Sequence, residues 1–487
     1  MNLSLLPHIF ATLVTASFNF LLGIGVIHTA ILLPYFAPNK NVTMEKSFVL
    51  SDGERTWLLS APALVMPISG ALSGITMDTF GRLNALRLAA VPYAVSWIIT
   101  ANSQSFAALL VGKCLSSFSY GWFLLGASVY IAEISPSNVR GMLLHVKIVF
   151  TGSGTLSALA IGSKLHWRTA AWINFGLTLI PVTLSAFLYE SPLWLVSKGR
   201  SLEARTALHA FYKHKTFKSD RCDAIETKLR AIQEFHERQR FTELKLLEKM
   251  RFFLDPSGYK RVFMLAGLRF FQDFSGTSYI FPNIVQFLMD FGTTYDSYQV
   301  GVYIGIAQLI TSICMIWVMK RLSRRFLMMI SCAAMSACML TLGIYVSYRT
   351  EDLSNYQWIP LLTTLLYFIA ALTGMFVVPY MVAAEVYPTH VRGVGQSIYS
   401  IFCCITEFSS IQCYYLLQTT VHASYPFYYI SLISLLGCVY IYVFVIETHR
   451  KTFAEIESHF SNDLSKPASF KGERQELNCK GNDVPLL

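Results

Sequence analysis

Charged side chains are scarce in this sequence. Asp, Glu, Lys and Arg make up 14% of the 487 residues, where a soluble chain carries roughly 25%. That shortage excludes an ordinary soluble enzyme and makes lipid the expected solvent. A glycine-rich nucleotide-binding loop is also missing, so ATP use is not expected. The ten cysteines fall in apolar stretches or on the basic side of the chain. Their spacing suggests neither a zinc site nor a disulfide framework, and no metal or other cofactor is expected. The neighbours Cys403 and Cys404 read as small packing residues rather than a redox pair. The first apolar run is too long, and too polar around Asn19 and His28, for a cleaved signal peptide.

What the chain does have is a succession of apolar stretches. A helix crossing about 30 Å of hydrocarbon needs roughly 20 mostly apolar residues. This test is met over 9–35, 56–77, 86–101, 105–132, 142–163, 170–189, 262–289, 299–319, 326–347, 358–384, 394–418 and 426–446, the third being the thinnest. Unpaired backbone amides are not tolerated in lipid, so these must be helices. The expectation is an all-α membrane protein with twelve transmembrane helices in two six-helix bundles, 1–190 and 262–447. A linker, 191–261, separates them, and a polar tail, 448–487, is expected to be largely disordered.

Charge sets the orientation. Of 39 Lys and Arg residues, 31 fall on one side of the spans; Lys40, Lys46, Arg55, Lys164, Arg168 and Arg349 fall on the other, and Lys113 and Arg269 lie within spans. By the positive-inside rule the basic side is cytoplasmic, with both termini inside. The net charge of +10 follows from that topology and needs no nucleic-acid partner. The sequon Asn41-Val42-Thr43 falls in the first outer loop, where glycosylation is possible; Asn2-Leu3-Ser4 lies inside and reads as accidental. The linker holds sixteen Lys and Arg against nine Asp and Glu, with helical patterning through Asp223–Arg251. It reads either as a solvated basic connector or as a small helical domain bracing the halves.

The two halves repeat a pattern. Ala132-Glu133-Ile134-Ser135-Pro136 leads to Arg140-Gly141, and Ala384-Glu385-Val386-Tyr387-Pro388 leads to Arg392-Gly393. In each copy Glu and Arg stand seven residues apart at the basic end of a span. Such halves suggest a substrate site near the bilayer midplane between two bundles that rock to give alternating access.

These paired motifs resemble those of the sugar porters of the major facilitator superfamily, a family that includes animal glucose facilitators and, more similar here, insect trehalose facilitators. Gly74-x-x-x-Asp78-Thr79-Phe80-Gly81-Arg82 resembles the loop signature between spans two and three. Glu190-Ser191-Pro192-Leu193-Trp194-Leu195 resembles the motif after span six. Phe270-Phe271-Gln272-Asp273-Phe274-Ser275-Gly276 resembles the run in span seven. Glu447-Thr448 and Lys451-Thr452-Phe453-x-Glu455-Ile456 resemble the closing motif. The resemblance covers about residues 9–458. It departs from the family pattern where Thr79 replaces a basic residue, Lys320 an acid and Leu193 an arginine.

A cytoplasmic gate is expected from Asp78, Arg82, Glu133, Arg140 and Glu190 in the first bundle and Arg324, Glu385, Arg392 and Glu447 in the second. Ion pairs there would hold the inner ends together while the transporter faces outward. The resemblance also implies substrate contacts at Gln272, Asp273, Ser278, Gln308, Tyr380 and Glu407. Gln272 keeps a family glutamine, whereas Asp273 replaces a second one. Ser278 and Gln308 stand where asparagines are usual, Tyr380 stands for a tryptophan, and Glu407 sits near an asparagine. The usual span-five glutamine aligns with Ile148, next to Lys147.

An ionised acid at the membrane centre costs on the order of 3 kcal/mol or more. Asp273 therefore pairs with Arg269 one turn earlier, takes a proton, or serves the substrate. Glu407 has no partner visible in the sequence and serves substrate, proton or a local pair. Proton-driven sugar porters carry an acid midway along span one, and Leu21–His28 contains none. The resemblance therefore implies facilitated diffusion of a hexose or a trehalose-like disaccharide across the plasma membrane, by a protein that is not an enzyme. Two rivals remain: the same fold moving another small, even cationic solute, and a non-transporting sugar sensor.

Overall fold

The computed structural model describes residues 5–36, 50–136, 139–211, 225–227, 229–230, 232–234, 250–291, 295–348, 356–388, 391–449, 451, 455 and 460. Among them every regular element is helical. The first six rods are α1 (Leu6–Leu32), α2 (Asp52–Phe80), α3 (Arg82–Ala101), α4 (Phe106–Ile134), α5 (Arg140–Gly162) and α6 (Trp167–Ser185). The seventh is broken into α7a (Pro256–Gln272) and α7b (Ile284–Asp290). Then follow α8 (Ser297–Arg321), α9 (Arg324–Ser347), the broken pair α10a (Trp358–Thr373) and α10b (Val378–Val386), α11 (Arg392–Thr420) and α12 (Tyr425–Phe444).

Among the described residues, nine of the twelve rods are long and apolar enough to cross a membrane on their own composition. The others, α6, α7 and α11, carry polar groups such as Asn174, Arg269, Asp273, Gln396, Glu407 and Gln412. Arg269, Asp273, Glu407 and Gln412 are tolerated because bundle neighbours, rather than lipid, meet them. Outward-facing apolar side chains such as Ile68, Ile75, Val91, Leu435 and Val439 are exposed over the helix surfaces. This suits a hydrocarbon solvent.

Local sequence explains the helix ends. Ser51 Oγ accepts the Glu54 N–H while the Glu54 carboxylate accepts the Ser51 N–H at 2.8 Å, a reciprocal cap that starts α2 earlier than its apolar run suggests. Ser323 and Asp296 cap α9 and α8 in the same way, each accepting one N–H of its first turn. Proline occupies the first turn of α1, α7a and α12, where its missing N–H loses no bond.

In the first bundle α1 packs on α4, α5 and α6, and α3 on α4 and α6; in the second, α9 packs on α10a and α12, and α7a on α11 and α12. The α1–α5 seam is the tightest. A Cβ at Gly23 would lie 2.0 Å from the Thr151 carbonyl oxygen, and one at Gly154 would lie 2.1 Å from that of Phe20. Only glycine lets these two backbones touch.

The bundles meet through α2 against α11 and α5 against α8. Their side-chain contacts cluster toward the end opposite the basic loops, here called the far end. Gln412 donates to Ser60 at 2.9 Å, Trp57 lies 5.8 Å from Phe408 between ring centroids, and Tyr298 donates to the Ile31 carbonyl at 3.5 Å. At the basic end, the Arg82–Asp78, Arg82–Glu133 and Arg324–Glu385 pairs each stay within their own bundle.

Two short helices, Pro192–Ser197 and Ser201–Phe211, lie under the basic end of the first bundle. Trp194, Leu195, Ala204, Ala207 and Ile232 form a small apolar core, and Trp194 Nε1 donates to the Asp78 carbonyl at 3.0 Å. Phe211 stacks on His8. The part of the linker nearest the first bundle is thus a packed helical cap, while Leu244–Leu247 lies outside the described residues. Of the tail, residues 448, 449, 451, 455 and 460 are described, and Phe460 is buried with the Arg261 guanidinium 4.7 Å from its ring centroid.

Candidate functional site

The centre of the second bundle is built on the break in the seventh rod. After Gln272 the backbone widens through Asp273–Thr277, with Gly276 at φ +92°, before the chain resumes toward α7b. Wide turns of this kind recur at functional sites because they turn side chains off the helix spacing. The tenth rod breaks likewise between Thr373 and Val378. The sequence pattern read both as continuous spans; the breaks arise from tertiary packing that the apolar pattern does not record.

Arg269 is the hub of this region. Its Nε is 2.8 Å from Asp273, its Nη1 donates to the Tyr380 hydroxyl at 2.6 Å, and its Nη2 is 3.5 Å from Glu407. The guanidinium also lies 5.2 Å from the Tyr380 ring centroid, a cation–π distance. Asp273, only 1% exposed, accepts two further hydrogen bonds: from Ser278 at 2.6 Å and from Thr406 at 2.5 Å. The local pair expected from their spacing is present, and Ser278 serves the acid. Glu407 has a partner after all, reached across the bundle from α11. Thr406, a member of this cluster, carried no signal in the sequence.

Saturation differs among the candidate contacts. The Asp273 carboxylate is fully engaged, so its charge is held by the protein itself. Glu407 keeps 31% of its side chain exposed, and Tyr380 is also open on one face. Gln272 is 2% exposed; its amide donates to the Phe376 carbonyl at 3.5 Å, while its Oε1 has no partner. A buried carbonyl left unmet costs about 1–3 kcal/mol, which a ligand hydroxyl would restore. Gln308 is buried on α8, the rod that faces α5 of the other bundle.

The first bundle contributes cations to its own interior. Lys113 donates to the Gly25 carbonyl at 2.6 Å, and Lys147 donates to the Ser128 hydroxyl.

The basic end carries the same wiring twice. In the first bundle Glu190 accepts the N–H groups of Arg82 at 2.9 Å and Leu83 at 3.0 Å, capping α3, while the Arg82 side chain pairs with Glu133 at 2.9 Å. In the second, Glu447 accepts the N–H groups of Arg324 and Arg325, both at 3.1 Å, capping α9, while the Arg324 side chain pairs with Glu385. A carboxylate at a helix N-terminus meets orphan N–H groups and the positive end of the dipole together. Burial pushes the Glu190 carboxyl above the usual carboxylate range despite its backbone donors. The more open Glu447 is also pushed up by burial, but the N–H groups of His449, Arg325 and Arg324 outweigh this and hold it below that range.

Asp78 is peripheral, 79% exposed and 3.4 Å from Arg82. Among the described residues Arg140 reaches the Ser135 carbonyl, at 3.5 Å, and does not pair with Glu133. The Arg392 side chain and Asn41 lie outside the described residues.

A protein-family model described as "Sugar (and other) transporter" matches residues 9–460. The chain is similar to the facilitated trehalose transporter Tret1 of Apis mellifera ligustica, at 27% identity over 462 residues, 94% of this chain and 89% of that one. It is similar also to the protein of that name from Polypedilum vanderplanki, at 27% identity over 468 residues, 95% and 89% of the two chains. Among solved structures, the inward open conformation of the xylose transporter XylE from E. coli superposes with a TM-score of 0.74. There the identity is 17%, over 92% of this chain and 98% of that one.

Proposed function

The chain belongs to the sugar (and other) transporter family, and on that premise we propose that it carries a hexose or a trehalose-like disaccharide down its gradient by alternating access. It is a transporter and not an enzyme. The basic end faces the cytoplasm of a cell bounded by this plasma membrane, with both termini inside. The bundles span 1–190 and 262–447, joined by the linker 191–261.

Gln272, Gln308 and Tyr380 are the principal sugar contacts: an amide oxygen and a second amide for hydroxyls, and a ring for the apolar face of the sugar. The observation that carries this assignment is the Gln272 Oε1, buried without a partner beside the broken seventh rod. Sugar hydroxyls lose water on binding, and a polar group that enters such a site unpaired costs several kcal/mol in an apolar medium. Asp273 and Ser278 act through Arg269, holding α7a, α10b and α11 in register around those contacts. Asp78, Arg82, Glu133, Arg140, Glu190, Arg324, Glu385, Arg392 and Glu447 form the cytoplasmic gate, and Asn41 is the glycosylation position.

Uptake of labelled trehalose and glucose into transport-deficient cells tests the reading. Saturable uptake is expected, with Gln272→Ala weakening apparent affinity about tenfold or more, the range for a lost buried hydrogen bond to substrate. Unchanged affinity and rate in that variant would remove Gln272 from the site. Glu407 favours a second reading in which a proton or cation binds there, since its side chain is 31% exposed and Arg269 stands off at 3.5 Å. Uptake that follows an imposed pH gradient and is lost in Glu407→Gln would establish that reading instead.

A further inference from the structure

A polar cavity of about 560 Å³ sits at the far end between the two bundles. Its walls include Asp52 and Arg55 from α2 of the first bundle, and Asn283, Gln286 and Asp290 on the α7b side of the second. The volume lies within the ~300–1,000 Å³ of small-molecule sites. Asn283 and Gln272 belong to the same broken rod, eleven residues apart, or about 16 Å of helical rise. The cavity is therefore separate from the central group.

Its chemistry is specific. Asn283 is 2% exposed and its Oδ1 has no partner, and the Gln286 Oε1 is likewise buried and unmet. On the opposite wall the Arg55 Nε is a buried donor without an acceptor, although its Nη1 pairs with Asp52 at 3.1 Å. Side chains that carry unmet acceptors and an unmet donor thus line one space. A bare cation would satisfy only the acceptors, and an anion only the donor. A hydroxyl group donates and accepts at once. Tyr279, stacked on Tyr414 and donating to Gln418 at 3.3 Å, and Gln418 itself add further polar groups to the wall.

From this geometry we infer that the far-end cavity is a second sugar-class site, for a neutral, hydroxyl-rich solute of mono- or disaccharide size; the inference rests on the reading of the chain as a sugar carrier. Both bundles supply its walls, and the Ser60–Gln412 and Trp57–Phe408 contacts join the same α2 and α11 rods. Separating the far ends would divide the cavity, so an occupant stabilises the arrangement in which the far ends are closed. A ligand shifts a two-state balance by its differential affinity for the two states. In the proposed orientation, sugar outside the cell would thereby slow reopening toward that side.

Equilibrium binding of trehalose and of glucose to the purified full-length protein tests this. The measurement is made by titration calorimetry in the Gln272→Ala background, which weakens the central site. Residual binding is expected for at least one of the two sugars, falling tenfold or more when Asn283→Leu or, separately, Gln286→Leu is added. Two substitutions at independent positions guard against one that merely misfolds. No residual binding in Gln272→Ala, or residual binding unchanged by both leucine variants, would overturn the second site while leaving wild-type uptake intact. A wild-type chain that neither binds nor carries either sugar would instead overturn the underlying reading and this inference with it.

Discussion

Replacing Arg269 by methionine removes the guanidinium and keeps most of the side-chain volume. What remains is Asp273, 1% exposed, with only the Ser278 and Thr406 hydroxyls to meet its charge, and Glu407 with no close cation. Breaking a buried ion pair from one side costs about 3–5 kcal/mol, because the surviving charge is stranded. With an unfolding entropy of about 2.1 cal/mol/K per residue, a chain of this length changes stability by about 1 kcal/mol per degree near its midpoint. Arg269→Met should therefore lower the thermal midpoint by about 3–5 °C in a fixed detergent, read by intrinsic fluorescence or by loss of the monodisperse peak on heating. Adding Asp273→Leu removes the stranded charge as well, and the double variant should recover at least half of the loss. This non-additivity is the signature of a direct pair. A single variant within about 1 °C of the parent, or a double variant that falls by the sum of the two singles, would refute the view that Arg269 neutralises this core.

Other perturbations test the basic end. Glu447→Gln should flatten the acid limb of the stability profile. Its folded pKa lies below the usual value, so its contribution is present at neutral pH and lost as pH falls through the lowered pKa; unaltered pH dependence would count against the cap on α9. Gly81→Val should destabilise by about 1–3 kcal/mol, since Gly81 has φ +101° and a Cβ there would meet Glu190 at 2.5 Å; a thermal melt equal to the parent would refute that. Glu133→Gln should cost more stability than Arg140→Gln, because Glu133 holds the Arg82 side chain whereas Arg140, among the described residues, reaches one carbonyl at 3.5 Å. Equal melts for the two would contradict the pairing.

Local relations were legible in the sequence, and distant ones were not. Arg269 and Asp273 are four residues apart, and helical spacing alone puts them on one face. Glu407 meets the same guanidinium from 138 residues away, a distance that no periodicity reports. The duplicated Glu-x-x-Pro-x-x-x-Arg-Gly segments marked the right ends of the right rods, yet their spacing does not name partners. Glu133 turns to Arg82 and Glu385 to Arg324, each at the start of the rod that follows the short basic loop. Apolar run length predicted where rods lie but missed their ends and their breaks. The Ser51–Glu54 cap that begins α2 is a sequence signal outside the apolar run. The wide turn after Gln272 depends on what packs against it, which composition does not carry.

The repeated wiring constrains how such a molecule can move. Glu190 ties the linker side of α6 to α3, and Arg82 ties α3 to α4; Glu447, Arg324 and Glu385 do the same for α12, α9 and α10b. Each basic end is therefore cross-braced internally, and neither brace reaches the other bundle among the described residues. Arg269 fastens α7a to α10b and α11 in the same manner. Beyond the wide turn, α7b packs on α8 of its own bundle and on α1 of the other. The two basic-end lattices and the Arg269 core are thus each tied by ion pairs across rods, while the segment from Gly276 to Asp290 is held by hydrogen bonds and ring contacts such as Tyr279 on Tyr414. That segment carries Ser278 at the central group and Asn283 at the far-end cavity, so a displacement of it would alter both places together.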